Sequence, residues 1–336
     1  MMFDEASQAA DVVAAQLTRN AAAVRRIGAL LRRIKPAFVA TCARGSSDHS
    51  ATYAKYLIES RTGILTASLA PSIHSVYKKP LHFDGGLCLV ISQSGASPDL
   101  LAVAHAAKQC GAHVLAILNM ADSPLAAVAD DVIEIHAGRE QSVAATKSFI
   151  GSLSALLQLV AAWQQDDELT AALTATPDLL RKAWDADWCA ALEPIAAARN
   201  VFVLGRGVGL GIAQEAALKL KEVCGLHAEA YSAAEVLHGP IAIAKIGFPV
   251  LVFAQRDETR AGLAALVDEL LRRDIALITA GVQHAKAINL PEISGHPAVE
   301  PLLRIQSFYR LAVGLSLKLG LDPDRPPYLT KVTATV

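Results

Sequence analysis

The sequence predicts an α/β protein: two tandem three-layer α/β/α domains, each built around a parallel sheet. Three observations carry this expectation. Short runs of branched apolar residues recur at 37–42, 87–91, 114–118 and 131–135, each of a length and composition suited to a fully buried strand. Segments with helical spacing separate them, and strands alternating with helices specify a parallel sheet covered on both faces. The second half also repeats the first. Moving 162 positions along takes Arg44 and Gly45 onto Arg206 and Gly207, Gln93 onto Gln255, and Ile117 onto Thr279.

Residues 1–34 read as a helical lead-in, rich in alanine, leucine and arginine, with no proline before Pro36. A first domain over 35–165 follows. Its opening strand ends at Arg44-Gly45-Ser46-Ser47-Asp48 and turns into a helix through Glu59. A strand near 65–69 comes next, then the strand at 87–91, which runs into Ser92-Gln93-Ser94-Gly95-Ala96-Ser97-Pro98-Asp99 and a helix that Gly111 stops. The apolar stretch 150–163 is interrupted by Gly151, Ser152, Ser154 and Gln158 and is too short for a bilayer, so it reads as a buried helix. Connecting helices occupy 166–198, where acidic residues, Pro177 and tryptophans break the strand pattern. A second domain spans 199–320, and a tail, 321–336, follows a proline-rich break.

At 336 residues the chain is too long for one ordinary core and suits two domains of about 150 residues each. Its formal net charge is −1, with no basic run, which argues against nucleic acid or an anionic membrane as a partner. The start carries Asp4, Glu5 and Asp11 and no apolar core of signal-peptide length. The five cysteines are odd in number and form no Cys-x-x-Cys pair. A reducing, cytoplasmic location is therefore expected.

The loop after the strand at 87–91 is the first candidate site. Ser97 is placed to cap the helix, Pro98 suits its first turn, and Asp99 complements the dipole. The hydroxyls of Ser92, Ser94 and Ser97, the amide of Gln93 and the free loop N–H groups can hold a phosphate without lysine or arginine. The alternative is a serine-rich turn that binds nothing. In the second copy this stretch is Ala254-Gln255-Arg256-Asp257, whose aspartate repels an anion, so one phosphate per chain is expected, in the first copy.

Glu215, Lys219 and Glu222 are spaced to share one stripe of a helix over 210–223. They form either a solvated ion-pair ladder or an acid–base group. His238 precedes Gly239-Pro240 and so sits at a turn. His227, Glu229, Glu235 and His238 are metal-ligand types, but two ligands at spacing three lack a partner pair elsewhere, and no metal is expected. Gly205-Arg206-Gly207-Val208-Gly209-Leu210 imitates a dinucleotide fingerprint. Leu210 occupies its third glycine position and no acidic residue is placed for a ribose, so no nicotinamide or other cofactor is expected.

Five motifs in order, Ser92-Gln93-Ser94-Gly95, Val143-Ala144-Ala145-Thr146-Lys147, Glu215 to Glu222, His227-Ala228-Glu229-Ala230 and Glu235-Val236-Leu237-His238-Gly239-Pro240, resemble the sugar isomerase (SIS) domain family. Within it they are similar to the isomerase half of glutamine-fructose-6-phosphate aminotransferase, and stand-alone chains of this kind resemble a second type of glucosamine-6-phosphate deaminase. The resemblance implies flavodoxin-like sheets and a hexose or hexosamine 6-phosphate as ligand. It implies phosphate binding by Ser47, Ser92, Gln93, Ser94 and Ser97, and sugar contacts by Val143, Ala145 and Glu215. It gives Glu222 the proton transfer between carbons 1 and 2, sets Lys219 beside the substrate, and assigns ring opening to His238, contributed by the neighbouring subunit of a homodimer. It also implies that the tail folds over the open-chain sugar and that Lys331 acts at its carbonyl. The sequence departs from the family at Arg44-Gly45-Ser46-Ser47, where the family has Cys-Gly-Thr-Ser, and at Ala145, where it has serine. With Met1-Met2-Phe3 in place of a glutaminase domain, the chain is expected not to draw ammonia from glutamine. A phosphosugar aldose–ketose isomerase, ammonia-dependent synthesis of glucosamine 6-phosphate and a non-catalytic sugar-phosphate sensor stay open as alternatives.

Overall fold

The strands β1 (Val39–Cys42), β2 (Thr66–Ser68), β3 (Leu87–Ser92), β4 (His113–Leu118) and β5 (Asp131–Glu134) form one parallel sheet in the order β2-β1-β3-β4-β5. This is a computed structural model of the chain, and it describes residues 1–331. All six residues of β3 are buried, because helices cover both faces of the sheet; hence the unbroken apolar run in place of alternation. In the ladder Val90 stands opposite Cys42 on one side and Ala116 on the other. Val90 and Ala116 share a core with Val103 and Ala107 of the helix Pro98–Gln109.

A second parallel sheet holds β6 (Asn200–Gly205), β7 (His227–Ser232), β8 (Pro249–Phe253), β9 (Ala276–Ala280) and β10 (Ile288–Asn289), in the order β10-β9-β8-β6-β7. Read from its other edge this is the order of the first sheet, 2-1-3-4-5, the flavodoxin-like arrangement. The repeat seen in the sequence is therefore a repeat of structure. The helix Pro98–Gln109, moved by 162 positions, falls on the helix Arg260–Leu271 at both ends.

The chain divides into two compact units. The unit with the first sheet comprises Asp11–Glu140 and Lys147–Thr174, with Thr330 and Lys331. The unit with the second sheet comprises Ala175–Leu329, together with Met1–Ala10 and Gln141–Thr146. The lead-in is three helices, Met2–Ser7, Ala9–Arg19 and Ala21–Ile34, and the chain changes unit within it.

Polar side chains at and near the breaks are committed to the first unit. Asn20 Nδ2 donates to the Glu134 carbonyl at 2.8 Å, and Gln16 Nε2 donates to the carbonyls of Ile135 and Gly151. Gly28 lets the helix Ala21–Ile34 lie against the helix Lys147–Gln164, since a Cβ there meets the Ala162 backbone at 2.7 Å. The helix Lys147–Gln164 is almost wholly buried, and its Gln158 is satisfied by Gln16 and Ser154. Among the described residues no helix is long and apolar enough to cross a membrane.

Candidate active site

In a sheet of order 2-1-3-4-5 the chain turns off in opposite directions after β1 and β3, and ligands bind in the crevice this opens at the strand ends. The two loops there in the first unit are 43–45, which runs into the helix Ser46–Thr62 with Ser47 in its first turn, and 93–97. Gly45 has φ 54° and Gly95 has φ 63°, a left-handed backbone that favours glycine. Gly95 is also hemmed in, because a Cβ there meets Ser123 Oγ at 2.1 Å. Ser92 Oγ accepts from the Gly95 N–H at 3.0 Å and Ser94 Oγ from the Ala96 N–H at 3.4 Å, so these two serines shape the turn. Ser97 stands at the N-cap in extended conformation, yet its side chain makes no capping bond. Among the described residues the side chains of Ser47, Gln93 and Ser97 have no hydrogen-bond partner and are partly exposed, which leaves their donors for a ligand.

Asp99 does more than complement the dipole. It is buried, and it takes Arg44 through Nε at 2.8 Å and Nη2 at 2.7 Å while accepting from the Leu100 N–H. The pair ties the β1 loop to the β3 loop and neutralises the arginine. Burial pushes the nearby Asp48 carboxyl up, against the opposing charges of His49 and Arg44.

The same crevice in the second unit, between the loops after β6 and β8, is filled by its own side chains. Gln255 Nε2 reaches the Arg206 carbonyl at 2.8 Å, Asp257 Oδ2 at 2.8 Å and Thr259 Oγ1 at 2.9 Å. Arg256 turns away onto the buried Glu300, at 2.7 Å. Asp257 therefore anchors a plug, in addition to bringing the negative charge that the sequence reading noted.

Glu215, Lys219 and Glu222 lie on the helix Gly209–Cys224 and do form one row. The row is not a solvated ladder. Glu215 and Lys219 are fully buried, and Glu222 is one-fifth exposed. Lys219 Nζ is 3.2 Å from Glu215 Oε1 and hydrogen-bonds Glu222 Oε2, while Tyr309 donates to Glu215 at 3.4 Å. Burial pushes Lys219 toward the neutral amine, but the two carboxylates outweigh it and hold the group above its ordinary value. The arrangement fixes one partly open carboxylate, that of Glu222, against a buried ammonium.

His238 follows a short 3-10 turn over Glu235–Leu237 and is exposed. Its backbone N–H bonds the Glu235 carbonyl, and among the described residues its ring has no hydrogen bond. Among the same residues no group of three His, Cys, Asp or Glu could hold a metal ion. Lys331 Nζ donates to Glu140 Oε2 at 3.2 Å, and this fully buried carboxylate also takes Ser148 Oγ at 2.5 Å. Sequence reasoning missed Glu140, which lies 191 positions from its lysine with no local pattern to mark it. Val143 and Ala145 lie in the segment Gln141–Thr146, where Ser142 Oγ donates to the Ala144 carbonyl.

A duplicated flavodoxin-like protein with one open cradle at a strand switch point, one plugged counterpart and a row of two carboxylates about a buried lysine is the class defined by these features. The chain belongs to the SIS domain family, whose model matches residues 35–162 and 194–280. It is similar to glutamine–fructose-6-phosphate aminotransferase (isomerizing) of Aeropyrum pernix, with 34% identity over 313 residues, 87% of this chain and 50% of that protein. The chain spans about half the length of the curated relatives it matches. Among solved structures it is similar to a Silicibacter pomeroyi DSS-3 protein provisionally assigned as a phosphosugar isomerase, with 45% identity, TM-score 0.93 and coverage of 96% and 99% of the two chains. It is also similar to the C-terminal domain of glucosamine-fructose-6-phosphate aminotransferase from Francisella tularensis, with 25% identity, TM-score 0.86 and coverage of 97% and 98%.

Proposed function

We propose that the chain is a hexosamine 6-phosphate isomerase that also deaminates, converting glucosamine 6-phosphate to fructose 6-phosphate and ammonia. The buried Glu215–Lys219–Glu222 row carries the reading, because burying an ammonium between two carboxylates is costly unless the arrangement is needed. The free donors of Ser47, Gln93 and Ser97, on a loop shaped by Ser92 and Ser94, take the phosphate. His238 moves a proton to the ring oxygen and opens the sugar. Glu222 takes the proton from carbon 2 of the open aldehyde and returns it to carbon 1, leaving a ketose imine. Water then hydrolyses the imine, releasing ammonia and the ketose. Lys331, held by Glu140, polarises the carbonyl, and Val143, Ala145 and Glu215 line the sugar. No cofactor enters the reaction.

A homodimer belongs to this reading, with His238 contributed across the interface. Its support is the surface around the histidine, where Leu237, Ile243 and Ile246 are exposed, the last at 81%; apolar side chains gathered on one stretch suit an interface. The purified protein given glucosamine 6-phosphate is expected to release ammonia and fructose 6-phosphate in equal amounts. Sugar-phosphate conversion without ammonia moves the assignment to aldose–ketose isomerisation. Binding without any conversion removes the enzyme reading.

A further inference from the structure

We infer that Glu5, on the first helix of the chain, is a positioning residue for the sugar-contacting segment Gln141–Thr146; the inference rests on the reading of Val143 and Ala145 given above. Glu5 is 8% exposed. Its Oε1 accepts from the Gln141 N–H at 2.6 Å and its Oε2 from the Ser142 N–H at 2.9 Å. One carboxylate thus takes two successive backbone donors, a charge-assisted pair that fixes both position and orientation of the peptide. Val143 is the next residue, and Ala145 lies two further on.

The brace is itself anchored. The helix Met2–Ser7 is tied down at Ala6, whose carbonyl accepts from Gln306 Nε2 at 3.0 Å. Phe3 packs edge-on to Trp184 with centroids 4.8 Å apart. The Met2 N–H donates to Asp324 at 2.7 Å, and the Met2 and Ala6 side chains are fully buried. A carboxylate on a helix fixed at three points is rigid enough to set the backbone beside a substrate. Nothing in the proposed chemistry requires Glu5 to touch the sugar.

Glu5→Gln keeps the shape but opposes one N–H with an amide NH2, and Glu5→Ala removes both acceptors. With glucosamine 6-phosphate, kcat/KM is expected to fall about tenfold in the first and about 100-fold in the second, mostly through kcat, since a misplaced contact costs alignment more than binding. Affinity for inorganic phosphate should stay within twofold. The second readout is hydrogen exchange: the Gln141 and Ser142 amides should be protected in the unaltered chain and exchange at least tenfold faster in the variants. Should a variant fail to fold, protection in the unaltered chain decides, and free exchange there overturns the inference. Variants as active as the unaltered enzyme also overturn it. An unaltered chain that converts no sugar phosphate sinks the proposed function, whereas the exchange result still judges the brace.

Discussion

Arg44 and Asp99 lie 55 positions apart and meet through a hydrogen bond from Nε and an ion-pair contact from Nη2, both onto one oxygen of a carboxylate with no exposed side-chain surface. Moved by 162 positions the arginine becomes Arg206, but the aspartate becomes Ala261. The pair therefore belongs to the open cradle alone. Arg44→Ala deprives a fully buried carboxylate of its cation. The expected cost is about 1–3 kcal/mol, read by urea unfolding, with weaker sugar-phosphate binding by calorimetry. Unchanged stability and binding together would show that the tie is idle.

Gly95 is the position where the cradle tolerates no side chain. Gly95→Ala places a Cβ against Ser123 and holds alanine at positive φ, a conformation costing about 1–2 kcal/mol before any clash. Phosphate affinity should fall at least tenfold while the Glu215–Lys219–Glu222 row is untouched. Titration with inorganic phosphate tests this, and an alanine variant binding as tightly as glycine would contradict the described turn.

On the proposed mechanism Glu222→Gln removes the proton carrier without removing the shape. Turnover of glucosamine 6-phosphate should drop by about 1,000-fold or more, with Kd for the sugar phosphate within about threefold. Loss of binding along with turnover would place Glu222 in substrate retention instead of proton transfer.

The buried lysine gives the second unit an alkaline limit. Burial opposes the charge of Lys219, Glu215 and Glu222 outweigh it, and the folded pKa lies above the unfolded value of about 10.4. The stabilisation is therefore complete below pH 10 or so and is lost as pH climbs through the higher folded value. Lys219→Met should remove that limb and leave the buried Glu215 carboxylate without its cation, costing about 3–5 kcal/mol. Urea unfolding between pH 8 and 11 distinguishes the two chains. Parallel curves would mean that the lysine is not charged in the fold.

Glu140 should control what Lys331 can do. Glu140→Gln leaves the lysine without its carboxylate and should lower kcat by about ten- to 100-fold with little change in KM. The double variant with Lys331→Ala should be no worse than Lys331→Ala alone. Additive losses in that cycle would separate the two residues.

Strands β3 and β4 and the helix Pro98–Gln109 were legible because burial on both faces leaves an unbroken apolar run, and Pro98 marks the helix start within a residue. The Glu215–Lys219–Glu222 row was legible as spacing, but its burial was not: helical periodicity gives the stripe and leaves open which way it faces. The contacts from Glu5 to the 141–142 backbone and from Glu140 to Lys331 were illegible for a different reason. They join positions 136 and 191 or more apart through single side chains, and no local propensity encodes a pair of that kind. Ser97 shows the opposite case, a correctly placed cap residue whose hydroxyl leaves the capping bond unmade.

The anchoring of Ala6 by Gln306 also bears on how the chain is made. These residues are 300 positions apart, so the first helix leaves the ribosome long before its partner is synthesised. The first sheet and its helices, which need nothing later than Thr174 for their strands and core, can assemble while the nascent segment around Glu5 waits. Until the helix Glu300–Lys318 emerges, the apolar face of that segment, Met2 and Ala6, has nowhere to dock. Translation that stalls past Thr174 is expected to yield a folded first sheet with the segment Met1–Ala10 unsheltered, the form on which a chaperone or a protease acts first.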